Sequence, residues 1–357
     1  MPVLESTSPP QEVAVLRLSA VGDVCHALPV VQTLRHAWPQ THFSWIIGKL
    51  EAELIGDVPG IDFVVFDKSN GWRAYRDLRK RLQRHDFDLL LHMQMSLRSS
   101  IASRCLHAPI RLGFDRERAH DYQWLFTNRR IPHVPREHVM DSFFGFARAL
   151  GVEEKRLKWN IPIPEAAAER AHELVPDDRP MLLISPCANA RFRNWRNWPY
   201  ERYAPVAEYA ARELDWQVIV TGGPSEAEAE AAEAIADASP VPVINLQGQT
   251  SLKELLALIQ RASVLISPDS GPVHMATAVG TPVIGLYATT NPDRAGPYLS
   301  QQWRINRYPD AVRKFIGKSA EEVPWGTRVR SPEAMSLITP EEVVAMLERF
   351  AAGDAGN

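Results

Sequence analysis

The chain is poor in cysteine. Only Cys25, Cys105 and Cys187 occur in 357 residues, far apart and with no C-x-x-C pair. That excludes a dense disulfide framework and a thiolate zinc cluster, and it suits a reducing compartment. Long apolar runs are also missing, with no stretch reaching the roughly 18 residues that a membrane-spanning helix needs. Charge of one sign is scarce: the net charge is −3, so no global field recruits nucleic acid, and any attraction for anions is local. The H-E-x-x-H, clustered Cys/His, Walker and G-x-S-x-G patterns are absent. Their absence argues against a resident catalytic metal, a P-loop nucleotide site and a serine-hydrolase elbow. The first twelve residues, rich in Pro, Ser and Glu, lack a signal-peptide pattern and read as a disordered lead-in.

What is present is rhythm. Short apolar runs at 13–18, 42–47, 62–66, 87–92 and 110–114 read as strands, and helical periodicity covers 26–37, 71–85, 97–106 and 139–150. Strands alternating with helices predict a parallel sheet covered by helices. The rhythm lapses over 115–135, read as a long functional loop, and 158–164 reads as an interdomain crossing with a strand in it. It restarts with strands at 181–185, 216–221, 241–246, 262–266 and 282–287. Helices are predicted at 200–214, 225–236, 251–260, 272–279 and 339–351, the third opened by a capping box of Ser251 and Glu254. The fold class is therefore α/β, with Rossmann-like domains at 13–164 and 178–335 joined near 160–178, and a last segment at 336–357. An eight-stranded α/β barrel is the competing architecture. The linker-like midpoint and the uneven units argue against it.

In an open α/β sheet, ligands bind outside the C-terminal ends of the strands. The most informative such edge is Ser267-Pro268-Asp269-Ser270-Gly271-Pro272-Val273-His274. Free N–H groups at a helix start attract phosphate, Gly271 allows close backbone approach, and Asp269 can hold sugar hydroxyls. This reads as a site for a phosphate-linked sugar, although an ordinary N-cap uses the same residue types. The loop at 19–26 has a single glycine, Gly22, so it is no G-x-G-x-x-G fingerprint. Its Asp23 and His26 are candidate proton acceptors; Asp23 equally suits a helix cap, and His26 an ordinary first-turn position.

The loop at 185–199 carries Arg191, Arg193 and Arg196. Guanidinium groups bind phosphate oxygens bidentately, so the loop is a candidate diphosphate clamp, with a solvated charged turn as the plainer reading. After Gly222 and Gly223, Glu226 either accepts from ribose hydroxyls or complements its own helix dipole. Arg73, Arg76, Lys80 and Arg84 recur at helical spacing. They suit either solvent or an anionic partner such as a phosphorylated lipid headgroup.

Five segments, taken in order, resemble the heptosyltransferases of glycosyltransferase family 9. They are Val21-Gly22-Asp23-Val24-Cys25-His26-Ala27-Leu28-Pro29, Asn197-Trp198-Pro199, Gly248-Gln249-Thr250-Ser251-Leu252, Asp269-Ser270-Gly271-Pro272-Val273-His274-Met275-Ala276, and Leu286-Tyr287-Ala288-Thr289-Thr290-Asn291-Pro292. The resemblance runs from about residue 13 to residue 350. It implies a GT-B fold, with two Rossmann-like domains facing across a cleft, the acceptor in the N-terminal half and the nucleotide sugar in the C-terminal half. The last helix is expected to cross back to the first domain. The implied reaction is inverting transfer of a heptose from ADP-heptose to an inner-core sugar of lipopolysaccharide. The implied partners are a nucleotide-sugar donor, a lipid-linked anionic saccharide and the cytoplasmic face of the inner membrane, with no nucleic acid, no tightly bound cofactor and no required divalent metal.

By position, the resemblance makes Asp23 the general base and Asp269 the residue that holds donor-sugar hydroxyls. Ser270 and Gly271 meet the diphosphate, Glu226 the ribose, and Thr250 lies near the adenine. Gly22, His26, Asn189 and His274 are supporting residues. Arg196 is a departure, standing where many members carry a phosphate-binding Lys. It keeps the charge but alters reach and geometry. The alternatives are another GT-B enzyme with a different donor, a nucleotide-sugar epimerase, and a non-catalytic binding module. A pure binder needs no base at position 23.

Overall fold

The structure is a computed structural model describing Val3, residues 8–188 and residues 195–353. Asn189, Arg191 and Arg193 lie outside the described residues, as does half of the expected lead-in. The end of that lead-in is ordered, contrary to expectation. Thr41 Oγ1 donates to the Pro10 carbonyl at 2.6 Å, and the N–H groups of Gln11 and Glu12 donate to Asp88 Oδ2 at 2.7 and 3.0 Å. The chain divides into two compact units, Met1–Pro162 and Ile163–Asn357.

The first unit runs β1 (Glu12–Leu16), α1 (Val21–Ala37), β2 (His42–Gly48), α2 (Lys49–Ile55), β3 (Asp62–Phe66), α3 (Trp72–Leu82), β4 (Leu89–His92), α4 (Leu97–Ala102), β5 (Ile110–Gly113), β6 (Arg129–Arg130) and α5 (Val139–Ala149). Its strands order as β3-β2-β1-β4-β5-β6, every pair parallel. The central strands are apolar on both faces because helices cover both sides. Leu78 and Leu82 of α3 join Ala14, Leu16, Ile46 and Leu90 in one core cluster, which leaves the basic face of α3 outward.

The second unit runs α6 (Glu165–Leu174), β7 (Met181–Ile184), α7 (Ala204–Arg212), β8 (Gln217–Val220), α8 (Glu226–Ala238), β9 (Ile244–Asn245), α9 (Leu252–Arg261), β10 (Val264–Pro268), α10 (Gly271–Val279), β11 (Val283–Tyr287), α11 (Pro292–Ala295), β12 (Arg304–Asn306), α12 (Tyr308–Ile316) and α13 (Pro340–Ala351). Its parallel sheet orders as β12-β11-β10-β7-β8-β9. Numbered within its own unit, each sheet reads 3-2-1-4-5-6, the order of a dinucleotide-binding fold. The chain direction reverses between β1 and β4 in one unit and between β7 and β10 in the other. Such a switch opens a crevice at the C-terminal edge.

Two expectations change. No strand lies at 158–164; Trp159 is buried there, its indole donating to the Cys25 carbonyl at 2.6 Å, so the segment straps α1 instead of joining a sheet. Residues 165–174 are no linker but α6, held because Arg261 of α9 donates to the carbonyls of Ala171 and Val175 at 2.8 and 2.9 Å. In the second unit, Val343 and Leu347 of α13 are buried in the core, and Arg307 pairs with Glu342. No described helix is long and apolar enough to cross a membrane.

Candidate active site

The first crevice is built around Asp23. Leu16 ends β1, and α1 begins at Val21, so Asp23 occupies the third helical position instead of the cap. Its carboxylate accepts from the Ala20 N–H at 3.2 Å, as an acid at this position of a helix does. It also forms an ion pair with the guanidinium of Arg17. Arg17 is buried, donates through Nη1 to the Met93 carbonyl at 2.6 Å, and lies over the Phe143 ring at 5.4 Å. The Asp23 carboxylate is thus held by a cation from the approach to its own loop, and its side chain stays 36% exposed.

The neighbours fix that loop. Gln94, just past β4, accepts from the Leu18 N–H at 2.6 Å and donates to Ser19 Oγ at 3.1 Å. At Gly48 a Cβ would fall 2.2 Å from the Leu18 carbonyl oxygen, so only glycine lets β2 end against this loop. Cys25, beside Asp23, has its thiol pushed up to about 12 by burial and then by the Asp23 charge, so it is no nucleophile. His26 is buried, packed edge-on to His138 with ring centroids 5.9 Å apart and tilted against Phe143 at 6.2 Å. Gly22 is buried beside it in the first turn.

The second crevice brings Arg196 to Asp269. Arg196 Nη1 lies 3.0 Å from the Asp269 carbonyl oxygen and 3.6 Å from its Oδ2. Ser270 is the N-cap of α10, yet its hydroxyl contacts Ser267 Oγ at 2.7 Å and caps nothing. The Ser270 side chain makes no capping bond to this helix start, where Gly271 is half-buried. Donors at an uncapped helix start favour an anion. His274 is buried one turn further on. Tyr287 reports the local field: burial, and then the Asp269 charge, push its phenol well above the usual range, while Arg196 and Arg304 oppose the shift.

The Asn-Trp-Pro segment carries Arg196 into place. Asn197 Oδ1 accepts from the Ala188 N–H at 2.9 Å, closing the base of the loop, and its Nδ2 donates to the Tyr200 hydroxyl at 2.9 Å. Trp198 is fully buried and donates to the Ile338 carbonyl at 3.1 Å. Removing so large a buried ring costs about 3–5 kcal/mol in typical cores.

Glu226 and Thr250 sit at the ends of β8 and β9. Glu226 is exposed at the first position of α8. Glu228 is the acid tied to the glycine turn, accepting from the Gly223 N–H at 2.6 Å. Gln247 donates to the Gly223 carbonyl at 2.6 Å, and Gly248 to the Gly222 carbonyl at 2.9 Å, so the two loops move as one. Thr250 is half-buried just before Ser251, whose capping box with Glu254 is formed as predicted. Sequence reasoning missed Arg17, Gln94 and Glu228. Position would have flagged Arg17, a cation at the end of a strand otherwise apolar. Among the described residues, no group of three or more His, Cys, Asp or Glu side chains could hold a metal ion.

Residues 75–319 match the family described as "Glycosyltransferase family 9 (heptosyltransferase)". The chain belongs to glycosyltransferase family 9. Among its family 9 relatives, the Haemophilus influenzae "Lipopolysaccharide core heptosyltransferase OpsX" is 39% identical over 344 residues, covering 96% of this chain and 98% of that one. The fold agrees with solved members. A family 9 glycosyltransferase from Veillonella parvula superposes with a TM-score of 0.78 at 24% identity, covering 96% of this chain and 97% of that one. The structure described as "E. coli heptosyltransferase WaaC with ADP" gives 0.72 at 21% identity, covering 95% and 99%. The protein is a glycosyltransferase of GT-B fold, with both parallel sheets in place.

Proposed function

We propose that this family 9 enzyme transfers a heptose, with inversion, from ADP-heptose to an inner-core sugar of lipopolysaccharide, with Asp23 as general base. The observation that carries the reading is Asp23 itself: a carboxyl group at a switch-point crevice, paired with buried Arg17 and still open to a ligand. The acceptor hydroxyl gives its proton to Asp23 as its oxygen bonds to the anomeric carbon. The bond from that carbon to the β-phosphate oxygen breaks, and ADP leaves with the electron pair. Positive charge gathers on the sugar ring and negative charge on the leaving diphosphate. Arg196, the Ser270 and Gly271 backbone and the helix start of α10 are suited to that diphosphate. Asp269 holds sugar hydroxyls, Glu226 the ribose, and Thr250 flanks the adenine.

The acceptor is lipid-linked, and the first unit has the surface for it. All its strands run one way, so the segments following them share one edge. On the segments that follow β3 and β5, Trp72 is 78% exposed, Tyr122 60% and Leu125 67%, and α3 turns a cationic face outward. Aromatic and aliphatic side chains interleaved with Arg and Lys suit the cytoplasmic face of an anionic membrane. The loop that bears Tyr122 and Leu125 is pinned from behind. Gln123 donates to the carbonyls of His92 and Gln94 at 2.9 and 3.0 Å, and Arg118 pairs with Asp115 and Glu137.

The test compares wild type with Asp23→Ala, using ADP-heptose and Kdo-containing lipid A. Turnover is expected to fall about 100-fold or more while ADP binding is kept. Undiminished turnover would remove Asp23 from the reaction. Flotation with anionic vesicles tests the membrane surface: Trp72→Ser with Leu125→Ser should release the protein, and unchanged flotation would reject this edge.

A further inference from the structure

A cavity of the first unit lies apart from the crevice that holds Asp23. It encloses about 480 Å³ and is lined by Arg79, His85, Asp86, Arg104, His107 and Arg111, together with Cys105 and small apolar groups. Its place in the fold is definite. His85 and Asp86 immediately precede β4, and Arg104 and His107 immediately precede β5. A parallel bridge between Asp86 and His107 ties those two approaches together. Arg79 enters from the last turn of α3. The cavity therefore opens at the N-terminal edge of the first sheet, while Asp23 stands at the C-terminal edge.

Its charge is one-sided. Three guanidinium groups face a single carboxylate, Asp86, and among the described residues none of the three is in an ion pair. The arginines also press on one another. Arg111 is pulled down to about 10, first by burial and then by the charge of Arg104. Arg111 is held rigidly: Nε donates to the Phe126 carbonyl at 2.8 Å, and Nη2 donates to the carbonyl and hydroxyl of Ser103 at 2.7 Å each. That leaves Nη1 of a partly buried cation with no protein acceptor among the described residues. Favourable alignment with a helix dipole accounts for Arg79 at the end of α3, but not for Arg104 and Arg111, which come from other segments.

We propose that this cavity is a second anion site, binding a small ligand that carries two linked phosphates. The volume is that of a small-molecule pocket. The guanidinium forks of Arg79 and Arg104, from separate elements, match phosphate oxygens bidentately, Arg111 adds its Nη1, and a multiply charged anion removes the repulsion among them. The ligand's shared chemistry is the diphosphate group, whether free or part of a nucleotide. The site is independent of the assignment of Asp23 and of donor binding.

The experiment is calorimetric titration of the full chain with inorganic pyrophosphate and, separately, with ADP, in an Arg196→Ala background that weakens the proposed donor site. Pyrophosphate should still bind with one equivalent. Arg79→Glu combined with Arg104→Glu should weaken that binding at least tenfold. Both side chains are exposed, so the thermal midpoint should hold; Arg104→Gln provides a milder variant and should weaken binding in the same direction. Equal affinities for the two probes assign recognition to the diphosphate, and tighter ADP assigns it to a nucleotide. No pyrophosphate binding in the Arg196→Ala background, or binding that the charge reversals leave unchanged, overturns the proposal.

Discussion

The two crevices share one strand order and differ in how their charges are arranged. In the first, Asp23 is paired with a buried arginine that also bonds the Met93 carbonyl and stacks on Phe143, so the carboxylate is aimed and its partner is immobile. In the second, Arg196 and Asp269 reach toward each other from loops after β7 and β10, at 3.6 Å, with Arg196 partly exposed and Asp269 buried. On the proposed reading, the first arrangement keeps its geometry through the reaction and the second opens for the donor. Topology supplied the same edge twice, and a few side chains made one edge suited to proton transfer and the other to an anion.

The largest expected effect tests how rigid the first crevice is. His92 ends β4 and is fully buried, and burial holds it down to about 4. Its Nδ1 lies 2.9 Å from Gln123 Nε2, a donor that suits the neutral ring. The folded value lies below the ordinary one, so the unfolded chain takes up the proton first. The stabilisation is complete above about pH 6.5 and is lost as pH falls toward 4, roughly 2–3 kcal/mol in all. Urea unfolding at pH 7 and pH 4 should show His92→Gln losing less stability than wild type by that amount. Equal losses would mean that His92 carries no such load.

A smaller effect tests the second crevice. Arg196→Ala should weaken ADP binding by about 1.5–3 kcal/mol, since a charge-assisted contact to the diphosphate is lost. Calorimetry giving unchanged ADP affinity would take Arg196 out of the donor site. The smallest effect separates the two regions directly. Arg17→Lys keeps the cation but loses the fork that spans Asp23 and the Met93 carbonyl. It should lower kcat about tenfold at unchanged ADP affinity, a loss of about 1.4 kcal/mol in the barrier. A fall in ADP affinity instead would contradict the division of labour between the units.

Much of the fold was legible because buried parallel strands are continuous apolar runs. Residues 62–66 and 283–287 fall within a residue of their predicted bounds. The two-residue strands β6 and β9 and the short β12 carry too little pattern to be recognised or bounded. Helix α2 was hidden because it follows β2 with no intervening turn residue, and α12 because Pro309 resembles a loop signal while serving as a first-turn proline. Helix α1 begins five residues earlier than its apolar pattern, at Val21, which turned Asp23 from a suspected cap into a first-turn acid. Candidate residues on strand-to-helix loops were readable from residue type and place. Their partners were not: Arg17 with Asp23, Gln94 with Ser19, and Glu228 with Gly223 are pairings that only the folded chain brings together.

On the proposed reading, the Arg196–Asp269 contact has a consequence for donor capture. A diphosphate arriving at α10 meets a guanidinium already partly neutralised, so binding is an exchange of one anionic partner for another. Added salt weakens the resident contact along with the incoming one. Donor affinity is therefore expected to depend less steeply on ionic strength than a solitary arginine would make it, and the released Asp269 carboxylate becomes available to the sugar at the moment the phosphates engage.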